Sequence, residues 1–329
     1  MKSWCAVLGA VVISVALLGK SAWAVPSLPI LGDAQSYAVL AGTTVTNTGN
    51  TVITGNLGVW AGNATTGFSA TNTFVGTGTN TPAGPGIVNA PSAIHFADGP
   101  GVGTAENAQG GLTSAITALS GLAGSAINEA GHDLGTSGTS PINNLLPGVY
   151  SWPSTTATLN GALTLNANGQ DGVGWVFLIG SSLTTASSSS VVFTDLGSNK
   201  GSDDGVYWVC ETGSATLGTG TAFEGNILAY ASITANTGAT DLNGRLLAET
   251  GEVSLQDNTI YNVCPPGPPG NGGPGFSGGL EVDTQGELEV VTSGESASTV
   301  PEPCTMLLLG SGLAGLVASR ARRSRRSLA

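Results

Sequence analysis

One short strand pattern recurs along this chain at a spacing near twenty residues, and that period restricts the fold more than any other feature. Leu183-Thr184-Thr185, Ala215-Thr216-Leu217, Ile233-Thr234-Ala235 and Val253-Ser254-Leu255 fall into one column when the repeats are laid under one another. A more apolar strand precedes each, at residues 175–179, 207–210, 226–229 and 245–248. A fixed period of this length marks stacked coils, each burying its apolar side against its neighbours. The expected architecture is a β-solenoid. Thr164 adds a further hydroxyl twenty residues before Thr184, and an insertion at 197–205 accounts for the longer interval between Thr184 and Thr216.

Side chains along a strand alternate between faces. With Leu163, Leu183, Ala215, Ile233 and Val253 inward, Thr164, Thr184, Thr216, Thr234 and Ser254 point outward, and Asn166, Ala186, Gly218, Asn236 and Gln256 share their face. Stacked strands lie about 4.8 Å apart, so these columns would form a nearly flat grid. Each Thr presents a methyl beside a hydroxyl that both donates and accepts, a pairing suited to ordering water. A second column competes for that role: Thr51, Thr221, Thr240 and Thr259, with Ser190 near the same place. Either column also reads as ordinary solvated strand surface, where Thr is common.

The two ends have to be set aside before charge is counted. Residues 1–24 combine Lys2, an apolar run and the small-residue site Ala22-Trp23-Ala24, the plan of a secretory signal cut after Ala24. At the other end Val300-Pro301-Glu302-Pro303 precedes an apolar run at 304–318 and a cluster of five arginines. Between these ends only Lys200 and Arg245 are basic, against twenty of the chain's twenty-one acids. So acidic a surface excludes nucleic acid as a partner, because no basic patch exists to release counterions from phosphates. Cys210 and Cys264 are the cysteines left in that interval. A bridge between them is one reading, in a compartment where disulfides persist. The other is that Cys210 is a small buried side chain aligned with Leu178. No Cys/His spacing suggests a metal.

Along the chain, residues 46–56 superpose without a gap on 216–226, Gly55-Asn56 falling on Gly225-Asn226, so the N-terminal stretch reads as one more coil. Residues 61–103 are rich in Gly, Thr and Pro and read as loop and cap. Ala105, Ala108, Leu112, Ile116, Leu119 and Ala123 then fall at helical spacing, with Thr104 as N-cap and Gly124 as terminator, predicting a helix over about 104–123. Gly110 and Gly111 weaken it by about 1 kcal/mol each relative to Ala. Its apolar stripe is expected to lie on the runs at 175–179 and 207–209, which are apolar at consecutive positions and so covered on both faces. Asp203 and Asp204 read as a solvated acidic turn in preference to a calcium loop. Residues 265–299 read as a Pro/Gly-rich and acidic linker, mostly disordered.

The coil motifs resemble the DUF3494 ice-binding family. The resemblance rests on YAVLAGTTVTNTG at 37–49 with TVITGNLGV at 51–59, LPGVY at 146–150, WVFLIGSSLTTAS at 175–187, FEGNILA at 223–229, SITANTG at 232–238, NGR at 243–245 and DNTI at 257–260. It implies a mainly β domain over 25–264: a right-handed, discontinuous β-solenoid of roughly triangular section, one long α-helix packed alongside, and a flat face that binds ice. Thr234-Ala-Asn-Thr237 resembles the TAxT-type element of family ice faces, which favours the first Thr column. The tail at 300–329 resembles the PEP-CTERM sorting signal of Gram-negative bacteria. That resemblance implies signal peptidase and exosortase as partners during export, a membrane contact confined to the transient C-terminal segment, and a final place at the cell surface or in the extracellular matrix.

Three functions compete on these grounds. An exported antifreeze or recrystallisation-inhibiting protein leads, with ice or ordered water as its partner. A structural or adhesive matrix protein associated with exopolysaccharide is the alternative. Catalysis is not expected: His95 and His132 stand outside the repeating coils, no Ser/His/Asp or carboxylate constellation stands out, and no cofactor or metal is implied.

Overall fold

Apolar residues at every second position of short strands, separated by turns of Gly, Asn and Ser, make this chain coil around a single apolar axis. A computed structural model describes residues 30–262, 276–282 and 287–292. Each full coil supplies one strand to each of three sheets. Gly205–Cys210, Ala215–Leu217 and Ala222–Phe223 make one coil, Asn226–Ala229, Ile233–Ala235 and Thr240–Asp241 the next, and Arg245–Ala248, Val253–Gln256 and Thr259–Tyr261 the one after. Among the described residues the three sheets hold ten, nine and seven strands, all paired in parallel. The first sheet carries the helix and the second the Thr column; the third closes the section.

The stack does not follow the order of the chain. Tyr37–Ala41 pairs with Arg245–Ala248, Thr44–Thr48 with Val253–Gln256 and Val52–Thr54 with Thr259–Tyr261. The N-terminal stretch is a coil of the same kind, as the alignment of 46–56 on 216–226 anticipates, and it stacks as the next layer after the last C-terminal one. Gly55 and Gly225 occupy the same corner at φ +118 and +105, and a Cβ would meet the Asn262 side chain at 2.5 Å in one and Val206 at 2.8 Å in the other. Residues 61–103 hold more regular structure than the expected loops. Ala64–Thr66, Thr79–Asn80, Ile87–Val88 and Ile94–His95 continue the three sheets beyond the N-terminal coil, so His95 lies within the stack.

Inside the coils, aromatic rings pile along the axis. Phe177 stacks on Trp208 at 3.9 Å, and Trp208 packs against Phe223 at 5.1 Å. A buried indole needs a partner for its N–H. Trp152, Trp175 and Trp208 find theirs in the carbonyls of His132, Leu145 and Glu224. Cys210 sits in this core between Ile179 and Ala229, one position from the Leu178 alignment, and burial pushes its thiol up to about 12. Cys264 lies outside the described residues.

The outer side of the first sheet is apolar too. Helix α1 (Ala105–Ser120) lays Ala108, Leu112, Ala115, Ile116 and Leu119 against Val176, Leu178, Tyr207, Val209, Leu228 and Leu247. The Thr104 hydroxyl accepts the Asn107 N–H, making it the N-cap. The helix ends sooner than expected, with 3-10 turns over Gly121–Ser125 in place of a stop at Gly124. Gly111 has a packing reason: a Cβ there would stand 2.7 Å from the Leu31 carbonyl oxygen, whereas Gly110 faces open space.

The linker expected to be mostly disordered contributes ordered structure. Leu280–Val282 and Leu288–Val290 form an antiparallel hairpin on the helix side, where Leu280 is buried. Ahead of it Phe276 stacks on Phe193 at 4.4 Å, and its backbone bonds Val206 and Asn226.

Candidate functional site

The Thr column is real, but its membership differs from the sequence expectation. On the second sheet Thr158 pairs with Thr184, Thr184 with Thr216, Thr216 with Thr234, Thr234 with Ser254, Ser254 with Thr46 and Thr46 with Thr66. Thr164 does not join them. It lies on Ala162–Asn166 in the third sheet, opposite Val192, and Asn166 lies there opposite Thr194. Thr158 takes the place assigned to Thr164. Ala186, Gly218 and Asn236 do stand two residues beyond their column members, and Asn160 replaces Asn166 as the first of that row. Gly218 is buried close to the preceding coil, leaving no room for a side chain.

A neighbouring file of hydroxyls was not anticipated. Two residues before each column Thr stand Thr156, Ser182, Ser214 and Ser232, followed by Glu252 and then Thr44. Ser182 Oγ accepts the N–H of Ser214, Ser214 Oγ that of Ser232, and Ser232 Oγ that of Glu252, each at 3.2 Å. One lone pair of each Ser therefore ties consecutive coils together, leaving the hydroxyl hydrogen to face solvent. The signal was present in Ser182-Leu-Thr184, Ser214-Ala-Thr216 and Ser232-Ile-Thr234, where a hydroxyl recurs two residues before the Thr.

Hydroxyl and methyl groups thus repeat about every 4.8 Å along the stack and about every 6.6 Å across it. Leu183, Ala215, Leu217, Ile233, Ala235 and Val253 are buried beneath them and hold each strand in place. Among the described residues no hydrogen bond holds the hydroxyls of Thr158, Thr184, Thr216 or Thr234, which remain free to bind water. Thr184 is exposed, and the other three are half-buried between their neighbours. Glu252 is the charged side chain in these files.

The rival column separates into two unlike pairs. Thr240 and Thr259 pair with each other on the outer face of the third sheet, beside Ala222 and Val52. Thr51 and Thr221 are fully buried one position earlier, at the corner. Thr221 Oγ1 bonds Thr185 Oγ1 at 2.7 Å, and Thr51 Oγ1 accepts the Asn258 N–H. A corner must satisfy backbone groups that leave the ladder, and these hydroxyls do so. The third sheet also exposes Val192, and Leu242 just past its Thr240–Asp241 strand is exposed too, so it lacks the uniform hydroxyl character of the second.

Acidic groups outside these files serve the corners. Asp204 was expected to be solvated, yet it is fully buried and its Oδ1 accepts the Val173 N–H. Burial, with Asp203 and Asp171 nearby, pushes its carboxyl up to about 7. Asp241 is also buried, and desolvation with the neighbouring Glu224 raises it well above the usual range against the pull of Arg245. The Arg245 guanidinium donates to the Gln35 carbonyl and to Asn226 Oδ1. Among the described residues no group of three or more His, Cys, Asp or Glu is placed to hold a metal ion. The sorting residues Val300, Pro301, Glu302 and Pro303, like the signal at 1–24, lie outside the described residues.

The sequence model of the Ice-binding-like family matches residues 39–261, and that of the PEP-CTERM protein-sorting motif matches 299–323. An ice-binding protein of Nostoc sp. (strain HG1) is 37% identical over 301 residues, covering 91% of this chain and 89% of that protein. An ice-binding protein of Leucosporidium sp. (strain AY30) is 31% identical over 240 residues, 72% of this chain and 85% of its own. The crystal structure of an ice-binding protein from the Antarctic ascomycete Antarctomyces psychrotrophicus superposes with a TM-score of 0.56 at 32% identity, covering 73% of this chain and all of that one. With a family model matching residues 39–261, a relative matched along nearly its full length and a solved structure that superposes over all of its own length, the chain belongs to the Ice-binding-like family and carries a PEP-CTERM protein-sorting motif behind it.

Proposed function

We propose that this is an exported ice-binding protein whose second sheet adsorbs to ice. The observation that carries the reading is the unbroken row Thr158, Thr184, Thr216 and Thr234, with unbonded hydroxyls on a parallel sheet and Thr156, Ser182, Ser214 and Ser232 beside it. Methyls at this spacing hold water in shallow apolar hollows while the hydroxyls anchor it, so a lattice-like layer forms over the sheet and merges with ice. Ala186, Gly218 and Asn236 flank the row with small or short side chains, and Ser254 stands at its margin. Relatives named as ice-binding proteins support the reading.

The sorting motif supports export and processing by an exosortase near Pro301-Glu302-Pro303, with the cell surface or surrounding matrix as the destination. Thermal hysteresis and inhibition of ice recrystallisation test the function directly. Thr216→Lys combined with Thr234→Lys puts two long cations into the row and is expected to abolish ice shaping while circular dichroism stays that of the parent. Full activity in that double variant would sink the assignment of this sheet.

A further inference from the structure

The two hydroxyl files keep their backbone register along the stack but change chemistry at one coil. Four successive coils carry the pairs Thr156/Thr158, Ser182/Thr184, Ser214/Thr216 and Ser232/Thr234. The next coil places Glu252 where the coils on either side have Ser232 and Thr44, and the file ends beyond Thr44 at Ala64. Its N–H bonds Ser232 Oγ as the Ser residues bond one another, so the geometry of the coil is preserved and only the side chain differs. Glu252 is exposed, and beyond it Thr44, Thr46 and Thr66 resume the hydroxyl pattern.

The carboxylate reorganises what lies around it. Ser254 Oγ donates to Glu252 Oε1 at 3.1 Å, and Thr46 Oγ1 donates to Ser254 Oγ at 3.2 Å. A bond to a carboxylate is roughly twice as strong as one between neutral groups, so this relay fixes two hydroxyl rotors in one direction. Neither hydrogen is left for surface water, unlike those of the four preceding Thr. The carboxylate, an acceptor with no hydrogen of its own, also orients its hydration water by charge and not by lattice position.

We propose that Glu252 sets the edge of the ice-contacting surface, confining it to the four coils from Thr156/Thr158 to Ser232/Thr234 and leaving Thr46 and Thr66 outside. This rests on the ice-binding reading of the second sheet. Removing the charge would join the hydroxyl patterns on its two sides into one longer face.

The test compares thermal hysteresis of the exported chain with that of Glu252→Ser, Thr66→Lys and the two combined, with circular dichroism as the check on folding. Glu252→Ser is expected to raise hysteresis about twofold at equal concentration, because adhesion scales with the apolar and hydroxyl area engaged. Thr66→Lys alone is expected to leave the parent value unchanged, yet to cancel the gain in the Glu252→Ser background. Equal hysteresis in Glu252→Ser and the parent, or a loss with Thr66→Lys alone, would overturn the boundary while leaving the ice reading intact. A parent chain that never shapes ice would overturn both. Glu252→Gln separates charge from length, and a gain close to that of Ser would show that the charge is what matters.

Discussion

Gly110 and Gly111 are adjacent in sequence and opposite in consequence. Nothing approaches a Cβ at exposed Gly110, so Gly110→Ala is expected to stabilise the protein by about 0.5–1 kcal/mol through helix propensity. Gly111→Ala drives a methyl against the Leu31 carbonyl and is expected to lower the melting temperature. Composition alone gives both glycines the same penalty; only the packing of residues 30–36 on the helix separates them. The buried acids give a signature in pH. Asp204 ionises near the ordinary 3.8 when unfolded but only at about 7 when folded, so the folded state holds a proton that the unfolded chain releases. Stability therefore falls as pH rises from about 4 to about 7 and then levels off. Asp241 and Glu224, also raised, act in the same sense. Asp204→Asn is expected to flatten part of that fall in urea midpoints measured at pH 4, 5.5 and 7.5; an unchanged slope would contradict the buried carboxyl. No spacing in the sequence revealed this, because Asp203-Asp204 in a Gly-rich insertion looks like any solvated turn.

Strands and helix were legible to different depths. The column from Thr184 to Ser254 follows from the repeat because the corner leading onto the second sheet has nearly the same length in each of those coils, the insertion at 197–205 lying between the third sheet and the first. The coil before them does not. Thr158 precedes Thr184 by twenty-six residues, and Thr164 falls at the expected twenty only because the chain has already turned onto the third sheet. Period alone locates a strand; the corner count decides which face it serves. Thr51 and Thr221 mislead for a related reason: outward strand residues and inward corner hydroxyls differ by one position, and alternation does not mark where a strand begins. The helix was readable because its stripe repeats at 3.6 residues and meets an apolar outer sheet surface. Leu112 is completely buried in that contact, and Leu112→Ala is expected to cost about 2–5 kcal/mol as lost burial plus a cavity. Chemical denaturation would show it, with ice shaping retained below the midpoint because the second sheet lies outside the contact.

Across the solenoid, the two kinds of outer surface are kept apart. The first sheet is covered by α1 and the hairpin of Leu280–Val282 and Leu288–Val290, while the second sheet offers its hydroxyl files to solvent. Docking of 276–282 and 287–292 escaped the sequence reading because Pro, Gly and acids dominate the 265–299 stretch that contains them, and the anchors are few: Phe276 on Phe193, and Leu280 beneath the helix side. Phe276→Ala is expected to raise amide exchange at Val206, whose N–H the Phe276 carbonyl accepts, and at Gly278, whose N–H the Asp204 carbonyl accepts, without altering hysteresis.

The pairing of Tyr37–Ala41 with Arg245–Ala248 also governs when the chain can fold. Val39 meets Leu246 across more than two hundred residues, so the first coil to be synthesised has no inner neighbour until nearly the last has followed it. Closing so distant a contact is entropically costly and slows folding, so the closing layer waits for the rest of the stack. A circular permutant beginning at residue 104 and carrying the 30–103 segment after 262 would place those strands in stacking order, and its refolding should be faster than the parent's at similar stability. An unchanged refolding rate would show that the late arrival of the closing layer does not limit assembly.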